Sequence, residues 1–460
     1  MRRFALLLLL PGLLLAIYDI GWIDVNNWRM PVLNDGRWAI DVTQMNFPGG
    51  SWPDPLMNFY LFGGGLWVGA IVQGETLVTC GYNPNSGGGE MMPTLCRYWR
   101  DGYNDPRDRI YRFPGDWPPP QSRFPMAPAA PRSDLDLWTC FGDSDPAFHD
   151  SAGGPLGIDV ALTTYAFADS EYRDIILLRY DVFNNNEYAI NECYIALCLD
   201  ADIGDASDDM NGLILDKHFR RGPDTFRVRN TGFTGDYNNH ENVGERWQGG
   251  TPGVAAIRLL SAPGGLDLSA FRTFTLDYDP VTNQDQYLTM AGYDYRTGIY
   301  EPFDSTDLFP SDKRFLLSCG PTDLAAHTSA TFYYAIVAAQ FGPENEIWPH
   351  SDTSELAWRC HLAELLFQQL LGVAETPSRA IQIPGRIPSH VRGVLRISSQ
   401  PTASSLRPEI GLLDAGGRQV MKLKPGDNDV SRLAAGVYFV RGRGAGSRGQ
   451  EEVRKVVIQR

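Results

Sequence analysis

Hydrophobic residues alternate with polar residues along several short segments of this chain, a pattern typical of strands with one buried face. The alternation is clear over Ile158–Ala168 and Ile175–Val182, and it continues over Cys193–Leu199. Shorter strands are predicted at Val254–Leu260, Arg314–Cys319 and Thr331–Gln340. Antiparallel sheets that pack face to face produce this pattern. The sequence therefore predicts a mainly β fold, with a large antiparallel β-sandwich-type body.

Two segments in the first third of the chain predict other features. Tyr60–Cys80 is apolar and glycine-rich, and the Gln73-Gly74 step inside it predicts a tight turn between two paired strands. The proline-rich segment Phe113–Arg132 lacks the backbone donors that a sheet requires, so we expect it to form an extended surface loop.

One helix is predicted near the end of the body. Asp352, followed three residues later by Glu355, resembles a capping box, and Gly372 has the place of a C-terminal cap. Its apolar residues recur at helical spacing: Leu356, Leu362, Leu365, Leu366 and Leu370. A domain boundary is expected just after this helix.

The N-terminus resembles an export signal. Arg2 and Arg3 precede an apolar run, Phe4–Ile17, that is shorter than the roughly 20 residues a spanning helix needs. We predict that residues 1–16 are a signal peptide that ends at the small Ala16, although Leu14 fits the cleavage pattern poorly. A buried N-terminal strand or helix is the alternative. No second apolar stretch approaches membrane length.

Charge divides the chain at the predicted boundary. From Thr376 onward 15 basic and 6 acidic residues give a net charge of +9, whereas the preceding residues carry −24. The overall charge of −15 argues against nucleic-acid binding, which depends on basic side chains. We therefore predict an acidic β-rich body at residues 17–375 and a small basic immunoglobulin-like β-sandwich at residues 376–460.

Seven cysteines leave at least one thiol unpaired. Export would permit disulfides, and the Cys80–Cys96 pair, which brackets a glycine-rich loop, is the first candidate. Cys193 and Cys198 lie five residues apart in a predicted strand and should face opposite sides. Buried inert thiols remain the alternative for the others.

Three phrases in the tail carry a family resemblance. LDAGGRQV at Leu413–Val420, LAAGVYFV at Leu433–Val440 and KVVI at Lys455–Ile458 predict strands separated by glycine-bearing turns. In this order they resemble the C-terminal sorting domain of type IX (Por) secretion cargo. The residues that match the motif are Asp414, Gly417, Arg418, Gly436, Tyr438 and Lys455.

The resemblance implies that the tail is an export signal recognised by outer-membrane secretion machinery, with the body delivered to the cell surface or the medium. Gln400-Pro401 stands where such domains often open with Asn-Pro. Related immunoglobulin-like modules that only support a neighbouring domain use the same strand pattern, and this alternative remains open.

An aspartate-rich loop follows the third alternating segment. Five carboxylates within ten residues repel one another unless water or a hard cation surrounds them, and calcium is the natural cation. The spacing around Gly204 does not match an EF-hand, because Asn211 stands where the bidentate glutamate belongs. A solvated acidic loop is the alternative. The predicted ligands are Asp200, Asp202, Asp205, Asp208 and Asp209.

Known catalytic motifs find little support. Asp150–Pro155 resembles the nucleophile segment of chymotrypsin-like proteases, but Ala152 is inserted, His149 replaces the glycine that helps form the oxyanion hole, and no earlier histidine is present to serve as the base. A glycan hydrolase needs two facing carboxylates, and the sequence cannot exclude such a pair. Conceivable acids and flanking rings are Asp277, Asp279, Asp285, Tyr278 and Tyr287, with possible sugar platforms at Trp52, Trp67 and Trp117.

These patterns together favour a secreted or cell-surface protein with a structural or binding, adhesin-like body rather than an enzyme. Its predicted partners are the secretion machinery and a surface glycan or protein ligand, and calcium is its predicted ion. A secreted glycan hydrolase and a carbohydrate-binding protein without turnover are the alternatives.

Overall fold

The computed structural model describes residues 18–42, 47–53, 56–149, 154–304, 307–350 and 352–371, and in the tail residues 390–392, 394–397, 410–414, 418–424, 426–443 and 451–459. The predicted signal peptide, the protease-like Asp150–Gly153 stretch, Gly372 and Gly417 lie outside these residues. The chain divides into two compact units, Met1–Ala374 and Glu375–Arg460, and each is described by itself.

The first unit is built from strands with two helices among its described residues. The strands are β1 (Ile20–Ile23), β2 (Met30–Leu33), β3 (Ile40–Asp41), β4 (Phe47–Pro48), β5 (Gly50–Ser51), β6 (Phe59–Val72), β7 (Glu75–Cys80), β8 (Tyr111–Phe113), β9 (Leu135–Gly142), β10 (Ile158–Ala166), β11 (Ile175–Asn184), β12 (Ile190–Ala201), β13 (Asp209–Arg221), β14 (Asp224–Asp236), β15 (Gly253–Ser261), β16 (Leu268–Thr275), β17 (Tyr293–Asp294), β18 (Ile299–Tyr300), β19 (Lys313–Leu324) and β20 (Ser329–Gln340). The helices are α1 (Asn283–Met290) and α2 (Ser354–Leu370).

Two large antiparallel sheets form the body. One has eight strands in the order β13-β14-β15-β20-β11-β10-β9-β8, and the other has the order β16-β19-β12-β6-β5, with β7 paired to β6. Each predicted body strand matches an observed one, although β10 ends at Ala166, two residues before the predicted end, and the turn at Gln73-Gly74 joins β6 to β7 with Val72 opposite Glu75. The predicted fold class, mainly β with an antiparallel sandwich-type body, is confirmed.

Alternation along the strands explains how the sheets pack. On β11, Ile176 and Leu178 enter the main core together with Ile195 and Leu197 of β12, so this core lies between the two sheets. Ile175 faces the other way, into a second core shared with α2. Helix α2 therefore covers the outer face of the eight-stranded sheet.

The six-stranded sheet has a helix on its outer face as well. Cys198 of β12 packs in a third core with Tyr287 and Met290 of α1, whereas Cys193 lies in the main core. The prediction that Cys193 and Cys198 face opposite sides is confirmed. The seven cysteines, all of them among the described residues, form no disulfide, so the proposed Cys80–Cys96 disulfide is wrong. The Cys96 thiol instead donates a hydrogen bond to a backbone carbonyl.

Two local predictions need correction. Helix α2 forms as expected, but Thr353 is its N-cap and makes no side-chain capping bond, while Asp352 accepts the Ser354 N–H outside the helix. The prediction of a capping box is therefore wrong. The proline-rich segment is more than a surface loop, because Phe124 is buried against Trp138 with their ring centroids 5.0 Å apart.

The second unit is also built from strands. They are β21 (His390–Arg392), β22 (Val394–Ile397), β23 (Ile410–Leu413), β24 (Gln419–Leu423), β25 (Gly426–Asp429), β26 (Gly436–Arg443) and β27 (Glu451–Gln459). Five of them form a sheet in the order β21-β27-β26-β23-β24, and β22 pairs with β25. Strands β21 and β27 run parallel, whereas the other pairs are antiparallel. Leu395, Leu412 and Tyr438 lie in the small core of this unit.

Candidate metal centre

Three of the five predicted aspartate ligands fall into two acidic groups, and Asp205 and Asp209 belong to neither. Asp200 and Asp202 lie with Asp312, and Asp208 lies with Asp236 and Glu241; within each group three carboxylate oxygens lie within 4.8 Å of one another. Such groups could hold a metal ion. We call the first group the Arg314 cluster, after the arginine that pairs with two of its carboxylates, and the second group the Asp236 cluster.

Arginines already neutralise much of the Arg314 cluster. Arg314 of β19 lies opposite Asp200 of β12, and its guanidinium pairs with Asp200 at 3.1 Å and with Asp312 at 3.0 Å. Arg246 reaches Asp202 at 3.1 Å. Asp200 also accepts a 2.6 Å hydrogen bond from the Tyr82 hydroxyl. Two built-in cations reduce the need for an external one.

Burial still disfavours charge in the Arg314 cluster. It raises the pKa of Asp202 to about 6, with Asp312 adding repulsion. Burial likewise raises the pKa of Asp279 to about 7, although Arg314 opposes the shift. Neither oxygen of the Asp279 carboxylate has a hydrogen-bond partner.

The Asp236 cluster is formed by the open end of a β-hairpin. Asp209 is the first residue of β13 and Asp236 the last of β14, and their backbones are cross-strand partners. Asp208 ends the 3₁₀ turn that precedes β13, and Tyr237 extends the pairing by donating its N–H to the Asp208 carbonyl at 3.0 Å. The hairpin register thus brings the backbones of Asp208, Asp209 and Asp236 close together.

Of two nearby loop residues, Glu241 belongs to the Asp236 cluster, whereas Asp205 does not. The Asp205 side chain caps the 3₁₀ turn by accepting the Ser207 N–H at 3.0 Å, so it is held away as a structural cap. The Asp205 N–H donates to Glu241 at 3.0 Å and fixes that carboxylate. Gly204 has φ +67°, and a Cβ there would lie 2.3 Å from the Glu241 Cδ atom. Only glycine satisfies both the backbone angle and this close approach.

Within the part of the chain that the structure describes, no basic side chain pairs with the Asp236 cluster. Among the described residues, no lysine, arginine or histidine forms an ion pair with Asp208, Asp209, Asp236 or Glu241. Asp209 and Asp236 are fully buried, yet each has one carboxylate oxygen without a hydrogen-bond partner, as does Asp208. Burying an unpaired charge is costly unless a counter-ion or a proton neutralises it.

The pKa values express the same cost. Burial, and then repulsion from Asp236 and Asp205, raises the pKa of Asp208 to about 6. Burial raises the pKa of Glu241 to about 8, with repulsion from Asp236 adding to it. The pKa of Asp209 is raised well above its ordinary value by burial and by Asp202. Without a cation this cluster retains protons near neutral pH.

Asp236 and Glu241 were not among the predicted ligands. Both lie far along the chain from the aspartate-rich loop, and only the β13–β14 register brings them there. The sequence feature that could have indicated this pairing is Gly222-Pro223, a turn at the midpoint between Asp209 and Asp236.

The proposed hydrolytic acids lie in different local settings. Asp279 is buried near Arg314, Asp277 is exposed in a 3₁₀ turn, and Asp285 lies in the first turn of α1. The rings Trp52 and Trp67 are buried in the core, so neither is an exposed sugar platform.

The sorting-motif residues lie in the tail unit. Asp414 pairs with Arg418, which lies just before β24, with their side chains 3.2 Å apart. Gly436 begins β26, and the Tyr438 hydroxyl donates to the Ala434 carbonyl at 2.9 Å. The backbone of Lys455 pairs with Phe439 in the β26–β27 ladder. No described helix is both long and apolar enough to cross a membrane.

Comparisons with known proteins leave the chain without an assigned family. No family model matches it, and no curated protein does. Among solved structures, the chain is similar to a polysaccharide lyase with 7% sequence identity and a TM-score of 0.24. The match covers 96% of this chain but 46% of that structure, so the chain spans about half of its length. A similarity of this size gives no information on activity or substrate.

Proposed function

We propose that this chain is a secreted or cell-surface protein with a structural or binding, adhesin-like body that a calcium ion stabilises. The tail unit would serve as its type IX export signal. One observation carries the calcium proposal: carboxylate oxygens of Asp208, Asp236 and Glu241 lie within 4.8 Å of one another, and Asp208 and the buried Asp236 each have one oxygen without a hydrogen-bond partner. Structural stabilisation is the role that such a site supports, because it fastens the 205–208 turn and the loop after β14 to one hairpin.

The ligand chemistry favours calcium over other ions. All the candidate ligands are oxygens from flexible side chains, which suit the irregular coordination sphere of calcium. Magnesium demands stricter octahedral geometry and retains more water, and zinc or copper favours nitrogen and sulfur ligands. Extracellular calcium is abundant enough to fill sites of modest affinity.

Calcium should raise the thermal unfolding midpoint of the full chain. At about 100 times the Kd, a ligand that binds only the native state contributes about 2.7 kcal/mol, which corresponds to roughly 5 °C for a domain of this size. Calorimetry in chelator, in calcium and in magnesium measures the shift. We expect calcium to give the largest shift.

Matched variants locate the ion. Asp236→Asn keeps the oxygen that accepts the His240 N–H, so this variant should fold, and its lower charge should relieve repulsion in the apo state. It should lose the calcium shift. Asp216→Asn, on the exposed part of the same hairpin, should keep it. A wild-type protein with no shift, or an Asp236→Asn variant with a full one, would contradict the proposal.

Export supplies a separate test. If the tail is a type IX signal, deleting residues 388–460 should retain the protein in the periplasm of a host that has this secretion route. Attaching residues 376–460 to an unrelated periplasmic reporter should send the reporter to the surface or the medium. Cell fractionation measures both. Normal release of the truncated protein would refute the sorting assignment.

A further inference from the structure

A tyrosine-lined cavity lies on the outer side of the six-stranded sheet, apart from both acidic clusters. Its volume is about 130 Å³, and it opens beside the end of β16 and the β17–β18 turn. Tyr278, Tyr293 and Tyr295 line it, together with Arg272 and Arg296. Ligand sites commonly combine aromatic walls with a few placed polar groups in this way.

The aromatic walls are held in place, with Tyr278 exposed and Tyr293 and Tyr295 half-buried. Tyr278 is 52% exposed, and the Arg296 guanidinium covers its ring at 4.6 Å from the centroid. The Tyr295 hydroxyl donates to the Tyr278 carbonyl at 2.9 Å, which ties the 3₁₀ turn to the β17–β18 turn. Tyr293 pairs with Tyr300, which is 58% exposed, at a centroid distance of 5.1 Å. The Tyr278 ring, fixed on one side by Arg296, could stack on a ligand with little reorganisation.

The charged groups of the cavity are already paired. Arg296 makes two hydrogen bonds to Asp294, at 3.2 and 3.0 Å, which lower the pKa of that carboxyl. Arg272 is buried and binds Asp304 at 2.7 Å. Each arginine thus has a carboxylate of its own, so the cavity has little net charge while its polar edges can still bond hydroxyl groups.

We propose that this tyrosine cavity binds a neutral sugar residue of a glycan chain. Sugar rings offer an apolar C–H face to an aromatic ring and hydroxyl groups to planar polar side chains, and the cavity presents both surfaces. The paired charges and the acidic body disfavour uronic or sulfated sugars. The inference rests on the proposed binding role of the body and names its ligand class.

The cavity binds the glycan without cleaving it. Among the described residues that line it, Asp294 is the sole carboxylate, and Arg296 holds it ionised. Glycoside hydrolysis by the usual route needs a second carboxyl group across the bond. The chain therefore uses this cavity for attachment.

Affinity electrophoresis tests the inference. The purified full chain, in calcium, is run through native gels that contain β-glucan, xylan, mannan or galactan, and through one that contains acidic polygalacturonate. At least one neutral polysaccharide should retard the protein, and Tyr278→Ala should weaken this binding about tenfold or more, because it removes the stacking ring. Tyr278→Phe should retain it.

Tyr188→Ala is the matched control, since it removes a partly exposed ring in the β11–β12 loop. It should bind like the wild type. Lack of retardation by every neutral polysaccharide, retardation by polygalacturonate alone, or full binding by Tyr278→Ala would each overturn the inference. The calcium shift, measured on the same preparations, shows separately whether the proposed stabilising ion is present.

Discussion

The cation-free protein should be less stable at about pH 8 than at about pH 5.5, the reverse of a protein whose carboxylates are well paired. Three carboxyl groups in the two acidic clusters and a fourth, Asp279, on which Arg314 also acts, cause the difference. The pKa values of Asp202 and Asp208 are raised to about 6, that of Asp279 to about 7 and that of Glu241 to about 8. In the unfolded chain these groups titrate near pH 4.

The sign follows from proton binding. Between about pH 4 and pH 8 the native state retains protons that the unfolded state has lost, so the free energy of unfolding falls as the pH rises through this window. Asp202 and Asp279 are nearly buried, whereas Glu241 is partly exposed and counts for less because solvent screens it. A net loss of about 3 kcal/mol would lower the unfolding midpoint by about 6 °C.

Thermal unfolding in chelator across this pH range measures the effect, and calcium provides the control. Because the ion replaces protons in the Asp236 cluster, its stabilisation should grow with pH and flatten the profile. His361, whose pKa is lowered by burial, contributes with the opposite sign below about pH 6.5. A cation-free midpoint that rises from pH 5.5 to pH 8 would show that these carboxyls are neutralised in some other way.

The elements that could be predicted from sequence are those with a strong local pattern. The alternating segments became β10, β11 and β12, since one residue in two had to face the main core. Helix α1 was missed because NQDQYLTM has no apolar stripe; Tyr287 and Met290 pack, and Thr282 caps the helix by accepting the Asp285 N–H. Tertiary packing, not local propensity, stabilises such a short polar helix.

The acidic clusters show where local reasoning stops. The aspartate-rich loop predicted a metal-binding region, because like charges at short spacing need a partner whatever the fold, and three of its aspartates lie in carboxylate groups that could hold a metal ion. Which carboxylates meet depends on the pairing of β13 with β14 and of β12 with β19. Those pairings bring Asp236 to Asp209 and Arg314 to Asp200, and neither was visible in the loop itself. The tyrosine cavity depends in the same way on a turn more than ten residues from Tyr278.

Arg314→Met should be strongly destabilising. Arg314 is buried, and its guanidinium lies between Asp200 and Asp312. Methionine keeps much of the volume but leaves two carboxylates without their cation, one of them fully enclosed. Removing one partner of a buried ion pair costs about 3–5 kcal/mol, which corresponds to a fall of about 8 °C in the unfolding midpoint at pH 8.

The loss should depend on pH and on Asp200. The pKa of Asp200 is already raised by burial, with Arg314 opposing the shift, so without Arg314 the carboxyl takes up a proton more readily and the penalty shrinks towards pH 5.5. For the same reason Asp200→Asn should recover part of the stability lost in Arg314→Met, a coupling that a double-mutant cycle measures.

Arg227→Met is the matched control, because Arg227 pairs with Asp216 on an exposed stretch of hairpin, and the unfolding midpoint of this variant should hardly change. If the two arginine variants lowered the unfolding midpoint equally, or if the fall in Arg314→Met did not depend on pH, Arg314 would act through packing rather than as the counter-ion of this cluster.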